Sequence, residues 1–120
     1  MDDIVSLETT GKNNIAVATF NAASISDVEA IAAASNLIRD FVDQNRPSRL
    51  IFDFGAVKFF SSQVLGLLLE IRSRLEAHNG QVLISAIDPR LHRVFKITNL
   101  DKIFKFFPDK QSAINATSTG

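Results

Sequence analysis

Two adjacent serines, Ser61 and Ser62, stand where the apolar "KFF" gives way to the helical pattern "QVLGLLLEI". A serine at such a place can cap a helix, attack an electrophile or accept a charged group, and each role needs different neighbours. A hydrolytic nucleophile needs a base, an orienting acid and an oxyanion hole. "FSSQV" lacks the glycines of a nucleophile elbow. His78 falls at a helix end before "NG" and His92 on a charged helix, so both read as surface histidines rather than bases. The two histidines do not share ligand spacing, and the chain has no cysteine and no glycine-rich phosphate loop. These observations predict no metal site, no cofactor and no catalytic residue. The expected protein is not an enzyme.

Asp53, at the end of the strand-like "RLIFD", is the other candidate for phosphate chemistry. A receiver-type phosphoaspartate needs a pair of acids after the first strand to hold magnesium, and a lysine after the last. Asp2 and Asp3 precede the first strand, and no pair follows it. Asp53 is therefore expected to brace the loop that leads into the serines.

Projecting the serine-bearing helix at about 100° per residue separates its faces. Val64, Leu67, Leu68, Ile71 and Leu75 gather opposite Ser62 as a core stripe. Ser62, Gly66, Leu69 and Ser73 share the outward side, with Leu65 at its margin. A helix that only covers a sheet should be polar there. Two leucines and a glycine instead predict contact, with another helix of the domain or with a partner. Phosphate on Ser62 would lie at the positive end of the helix, where free N–H groups and the dipole favour anions. It would add about −1.5 to −2 charges and repel anything packed on Leu65, Gly66 and Leu69. Ser62 thus reads as a reversible charge acceptor and Ser61 as the structural cap.

The elements that position these residues alternate. "IVSLET" and "IAVATF" predict a hairpin around "GKNN". A helix follows, opened by the S-x-x-E capping box Ser26–Glu29, with Val28, Ile31, Leu37, Ile38, Phe41 and Val42 as its apolar face. Strand "RLIFDF", the serine helix to about His78, strand "QVLIS", a helix from Asp88 and Pro89, strand "KIFKFF" and a helix opened by Asp109 complete the order β-β-α-β-α-β-α-β-α. This predicts an α/β fold: a mixed sheet of four to five strands, parallel at its core with an antiparallel edge, packed with about four helices. At 120 residues and 46% hydrophobic, one domain is expected over residues 1–120, frayed at 1–3 and 117–120.

Charge narrows the partners. Lysine plus arginine equals aspartate plus glutamate, 13 against 13, which predicts no general attraction to nucleic acid or membrane. Residues 1–45 nevertheless hold seven acids and two bases, leaving six acids and eleven bases to the rest. The ten phenylalanines, with neither tyrosine nor tryptophan, read as core filling rather than base-stacking surfaces. The acidic start "MDDIVSLETT" and the lack of any membrane-length apolar run predict a soluble cytoplasmic protein.

"LIFDFGAVKFFSSQVLGLLLEI" resembles the central motif of STAS domains, the fold of bacterial anti-sigma factor antagonists, in which a strand ending in Asp leads to Asp-Ser-Ser-Gly-Leu and a helix. "NGQVLISAIDPRLHRVFKITNLDKIFKFFPDKQSAI" is similar to the family's second half, so the likeness covers about 50–116. The resemblance implies that Ser62, or alternatively Ser61, is phosphorylated by a partner that is both anti-sigma factor and serine kinase of the histidine-kinase-like ATPase type. The unphosphorylated form would bind that partner, and a phosphatase would reset the system. By position, Asp53 matches the family's acid at the strand end and Gly66 its small helical residue. With the projected helix face, the expected partner-binding set is Asp53, Ser61, Gln63, Leu65, Gly66 and Leu69, a homodimer being the alternative cover for Leu65 and Leu69. Phe60 stands where the motif has Asp, Gln63 where it has Gly, and Asn21 and its neighbours replace a Gly-x-hydrophobic-Asp after the second strand. The alternative is a STAS module that never cycles phosphate, serving as a scaffold subunit or a small-ligand or lipid-pathway component.

Overall fold

The computed structural model describes residues 4–11 and 13–117. Strand β1 (Val5–Thr9) turns back antiparallel onto β2 (Ile15–Phe20), pairing Val5 with Phe20 and Thr9 with Ala16. The two-residue β3 (Ser24–Ile25) leads into helix α1 (Val28–Asn45). There follow β4 (Arg49–Asp53), the two-residue β5 (Phe59–Phe60), α2 (Ser62–Glu76), β6 (Gln81–Ser85), α3 (Pro89–Ile97), a 3-10 turn (Leu100–Lys102), β7 (Lys105–Phe107) and α4 (Lys110–Thr117). The main sheet has the order β1-β2-β4-β6-β7, parallel except for the β1–β2 edge. This is the mixed five-stranded sheet with four helices that the sequence predicts. The parallel two-stranded sheet of β3 and β5 is additional.

Alternation along the central strands builds two cores. Ala16, Ala18, Leu50, Phe52, Val82 and Ile84 turn toward one cluster with the buried residues of α1, α2 and α3. Ile15, Val17, Ile51 and Leu83 turn to the opposite face, where Ala113 and Ile114 of α4 close over them. The central strands are therefore apolar on both faces, which explains the unbroken runs "LIF" and "VLI".

Two details of α1 differ from the sequence reading. Its N-cap is Asp27, whose carboxylate accepts a hydrogen bond from the Ala30 amide at 3.3 Å, so the cap lies one residue beyond Ser26. A carboxylate at this place also meets the positive helix end. The buried stripe is Ile31, Ala34, Ile38 and Val42, while Val28 and Leu37 are exposed. Ala34 takes the place that Leu37 was expected to fill. The other caps fall as expected: Asp88 accepts from the Arg90 amide at 2.8 Å, and Asp109 from the Ser112 amide at 2.7 Å.

Helices α1 and α2 run side by side in the same direction, since Arg39 pairs with Glu70 at 2.8 Å and, four residues on in each helix, Asp43 pairs with Arg74 at 3.2 Å. The expected fraying of 1–3 and of 118–120 lies outside the described residues, and Thr117 is the last residue of α4.

Candidate functional site

The serines follow a loop that is fixed at several points. Beyond β4, the Phe54 amide donates to Ser85 O at 2.9 Å, extending the ladder with β6 by one bond. Asp53 Oδ1 accepts from the Gly55 amide at 3.1 Å and from Ser85 Oγ at 3.3 Å, which makes it the brace that the sequence predicts. The Lys58 and Phe59 amides both donate to Ala23 O, at 2.7 and 3.0 Å, and the Ser61 amide donates to Ile25 O at 2.9 Å. Strand β3 thus holds the approach to the serines by main-chain hydrogen bonds.

Strand alternation divides the two phenylalanines of β5. Phe60 points inward at 6% exposure, with ring centroids 5.8 Å from Phe54 and 6.0 Å from Phe95. Phe59 points outward at 54% exposure. Phe60 therefore anchors the loop in the core at the position where the family motif carries an acid. Phe59 adds an exposed aromatic ring close to the serines in sequence, which the reading of "KFF" as core filling missed.

Helix α2 begins at Ser62, with Ser61 as N-cap in extended backbone geometry. Ser61 does not cap with its side chain: Oγ is buried and has no hydrogen-bond partner. Leaving a buried hydroxyl unsatisfied costs about 1–3 kcal/mol. Ser62 and Gln63 are exposed, and the first turn of α2 contains no acidic residue. The helix dipole at Ser62 is therefore not offset by a carboxylate of that turn.

Further along, the outward face differs from its projection. Leu65 is only 8% exposed and belongs to the main core, so it does not form the exposed margin expected of it. Leucine side chains on helices lean back toward the N-terminus, which carries Leu65 over the preceding turn and into the core. Leu69 stays outward at 37% exposure. Gly66 is exposed, and a Cβ built on it meets no atom within 4 Å. Nothing within the domain requires a glycine there, although glycine costs about 1 kcal/mol relative to alanine inside a helix. Ser62, Gln63, Gly66 and Leu69, with Phe59 before them, are thus the residues left uncovered. Asp53 lies half-buried behind the loop.

The charges around the loop are modest. Lys58 Nζ lies 4.0 Å from Asp88 Oδ2. Hydrogen bonds from Arg90, first through its side chain and then through its amide, hold the Asp88 carboxyl below its ordinary value. The histidines are half-buried rather than on the open surface: His78 Nε2 donates to Pro47 O at 3.1 Å, and His92 meets Phe106 edge-on at 4.5 Å. Among the described residues no three His, Asp or Glu side chains come together as a set of metal ligands. No helix among them is long and apolar enough to cross a membrane.

A mixed five-stranded sheet with one antiparallel edge, packed with four helices and carrying a serine pair at the start of the helix after its central strand, defines a class of α/β domains. A family model of the STAS domain matches residues 6–113, and the chain belongs to that family. The match reaches well N-terminal of the motif-bearing stretch 50–116. The fold is similar to that of the anti-sigma factor antagonist SpoIIAA in its unphosphorylated form, with a TM-score of 0.83 and 21% identity over 97% of each chain. Against the Bacillus cell fate determinant SpoIIAA in its phosphorylated form the TM-score is 0.73, at 22% identity over 94% of this chain and 98% of that one. An anti-sigma factor antagonist from Mycobacterium paratuberculosis is similar with a TM-score of 0.76 and 25% identity over 93% of this chain and 92% of that one. A STAS-domain containing protein of Pseudomonas aeruginosa is 27% identical over 59 residues, 49% of this chain. That match spans 58% of the length of the curated relative. At these identities the likeness to SpoIIAA is one of fold.

Proposed function

We propose that this chain is a non-enzymatic, partner-switching regulator of transcription in the cytoplasm. In the form unphosphorylated at Ser62 it binds a kinase-type anti-sigma factor through Phe59, Ser62, Gln63, Gly66 and Leu69. Phosphorylation of Ser62 by that partner releases it, and a phosphatase restores the binding form. The observation that carries this reading is the exposed Ser62 at the start of α2, in a turn free of acids, on the same face as a glycine that the domain itself leaves uncontacted. Phosphate fits such a helix end, yet the same dianion is costly inside a desolvated apolar interface. Ser61 is the weaker acceptor because its Oγ is buried.

The test is to incubate the protein with ATP and the histidine-kinase-like ATPases of its own genome, and to locate phosphate by mass spectrometry. Phosphate on Ser62, absent from Ser62→Ala, is the expected result, with Ser62→Asp losing affinity for the same ATPase. If none of these ATPases modifies the chain, and Ser62→Asp still binds its partner, the switch is wrong. The reading favoured instead would be a module that does not cycle phosphate, which the replacement of the motif's acid by buried Phe60 also suits.

A further inference from the structure

A second site lies at the other end of α2. Strand β6 starts at Gln81, but its ladder with β7 starts only at Leu83 and Lys105. The sheet edge is therefore notched beside Gln81 and Val82. The notch opens into a cleft of about 470 Å³, walled by Arg72 and Glu76 of α2, by Arg49 at the start of β4, and by Lys102, Ile103 and Lys105. That volume is in the range of small-molecule sites rather than of a single bound ion.

Charge defines what the cleft would hold. Arg72 is paired with Glu76 at 3.3 Å. Arg49, Lys102 and Lys105 take part in none of the ion pairs among the described residues. Three cations outside any ion pair, Arg49 from the start of β4 and Lys102 and Lys105 from the stretch leading into β7, thus face one concavity. The carbonyl end of α2 opposes them with about half a negative charge, too little to reverse the sign. Ile103, 39% exposed, supplies an apolar wall beside the cations. The basic excess after residue 45, diffuse in the sequence, is partly concentrated here.

We propose that this cleft binds a small phosphorylated molecule carrying two or more negative charges, with its carbon skeleton against Ile103. The site lies at the N-terminal ends of the parallel strands, whereas Ser62 follows the C-terminal end of β4, so it is separate from the switch face. Its occupancy does not depend on the switch.

Titrating the isotope-labelled protein with sodium tripolyphosphate at fixed ionic strength tests this directly. Saturable amide shifts are expected at Gln81, Val82 and Lys102 to Lys105. The double variant Lys102→Glu/Lys105→Glu should bind at least about tenfold more weakly, with an unchanged thermal midpoint. Lys96→Glu, at a surface lysine outside the cleft, should bind as the parent does. Equal weakening by Lys96→Glu, or shifts scattered over the basic surface, would mean that general charge alone is responsible and would overturn the site. Vesicles containing phosphatidylglycerol separate the two sources of phosphate. Vesicle binding that needs Lys102 and Lys105, without saturation by tripolyphosphate, would assign these cations to a membrane surface and overturn the small-molecule reading.

Discussion

The second half of α2 is laced with charge. Glu70 meets Arg39 at 2.8 Å and Arg74 at 3.6 Å, Arg74 reaches Asp43 at 3.2 Å, and Arg72 pairs with Glu76 at 3.3 Å. The first half has no acid in its opening turn, leaves a hydroxyl without a partner beneath its first residue, and turns Ser62, Gly66 and Leu69 outward. Both halves bury the same kind of apolar stripe against the sheet, so the difference lies in their outer surfaces. Through Glu70 and Arg74 the ion-paired half is joined to α1, while Arg72 and Glu76 turn toward the cleft beside β6. The outward face of the other half is uncovered, and it is there that the proposed partner would act.

Paired substitutions sharpen that contrast, beginning with the largest. Phe60→Ala should destabilise by about 3–5 kcal/mol through the cavity left between Phe54 and Phe95. Phe59→Ala, one residue away, should change stability by no more than about 0.5 kcal/mol. Urea unfolding measures both, and equal losses would mean that β5 does not separate an inner from an outer ring. Leu65→Ala should cost about 2–5 kcal/mol as a core truncation, whereas Leu69→Ala should act mainly on partner affinity. A large stability loss at Leu69 would remove it from the proposed face.

Gly66→Ala should stabilise the isolated domain by up to about 1 kcal/mol, since the new methyl meets open space. The same variant should bind the partner more weakly. A stabilised variant with unchanged binding would show that nothing approaches that glycine closely. A small effect is also expected at Glu70→Gln, where exposed pairs of this kind are worth about 0.2–1 kcal/mol. The hydrogen bond from Arg39, with further help from its charge and from Arg74, lowers the Glu70 pKa below its usual 4.5. The pair's contribution is then fully present above that value and fades as pH falls through the lowered one. Parent and variant should accordingly differ in unfolding midpoint at pH 7 and converge in strong acid.

The sheet and the four helices are legible in the sequence because continuous apolar runs and 3.6-residue patterns are local signals. Ser62 is legible for the same reason, since a helix start and an outward face can be read from a few residues. Leu65 is not, because a projection places the Cα and says nothing of a side chain leaning into the core. The capping box at Ser26 fails by one residue because Asp27 is an equally good cap and the chain takes the charged one. Phe59 and Phe60 are indistinguishable until β3 supplies the pairing that sets their alternation, and two-residue strands leave no pattern. The basic cleft draws on segments that meet only in the folded chain. Its only trace in the sequence is the uneven distribution of bases.

The hydrogen bonds from Lys58, Phe59 and Ser61 to the β3 segment have a further consequence for the proposed switch. They order the approach to Ser62 before any partner arrives, so little conformational entropy is lost there on association. A surface prepared in this way responds to modification without a folding step. Under the proposed switch, release then calls for no refolding of this approach, and the added charge can act on a segment already held in place.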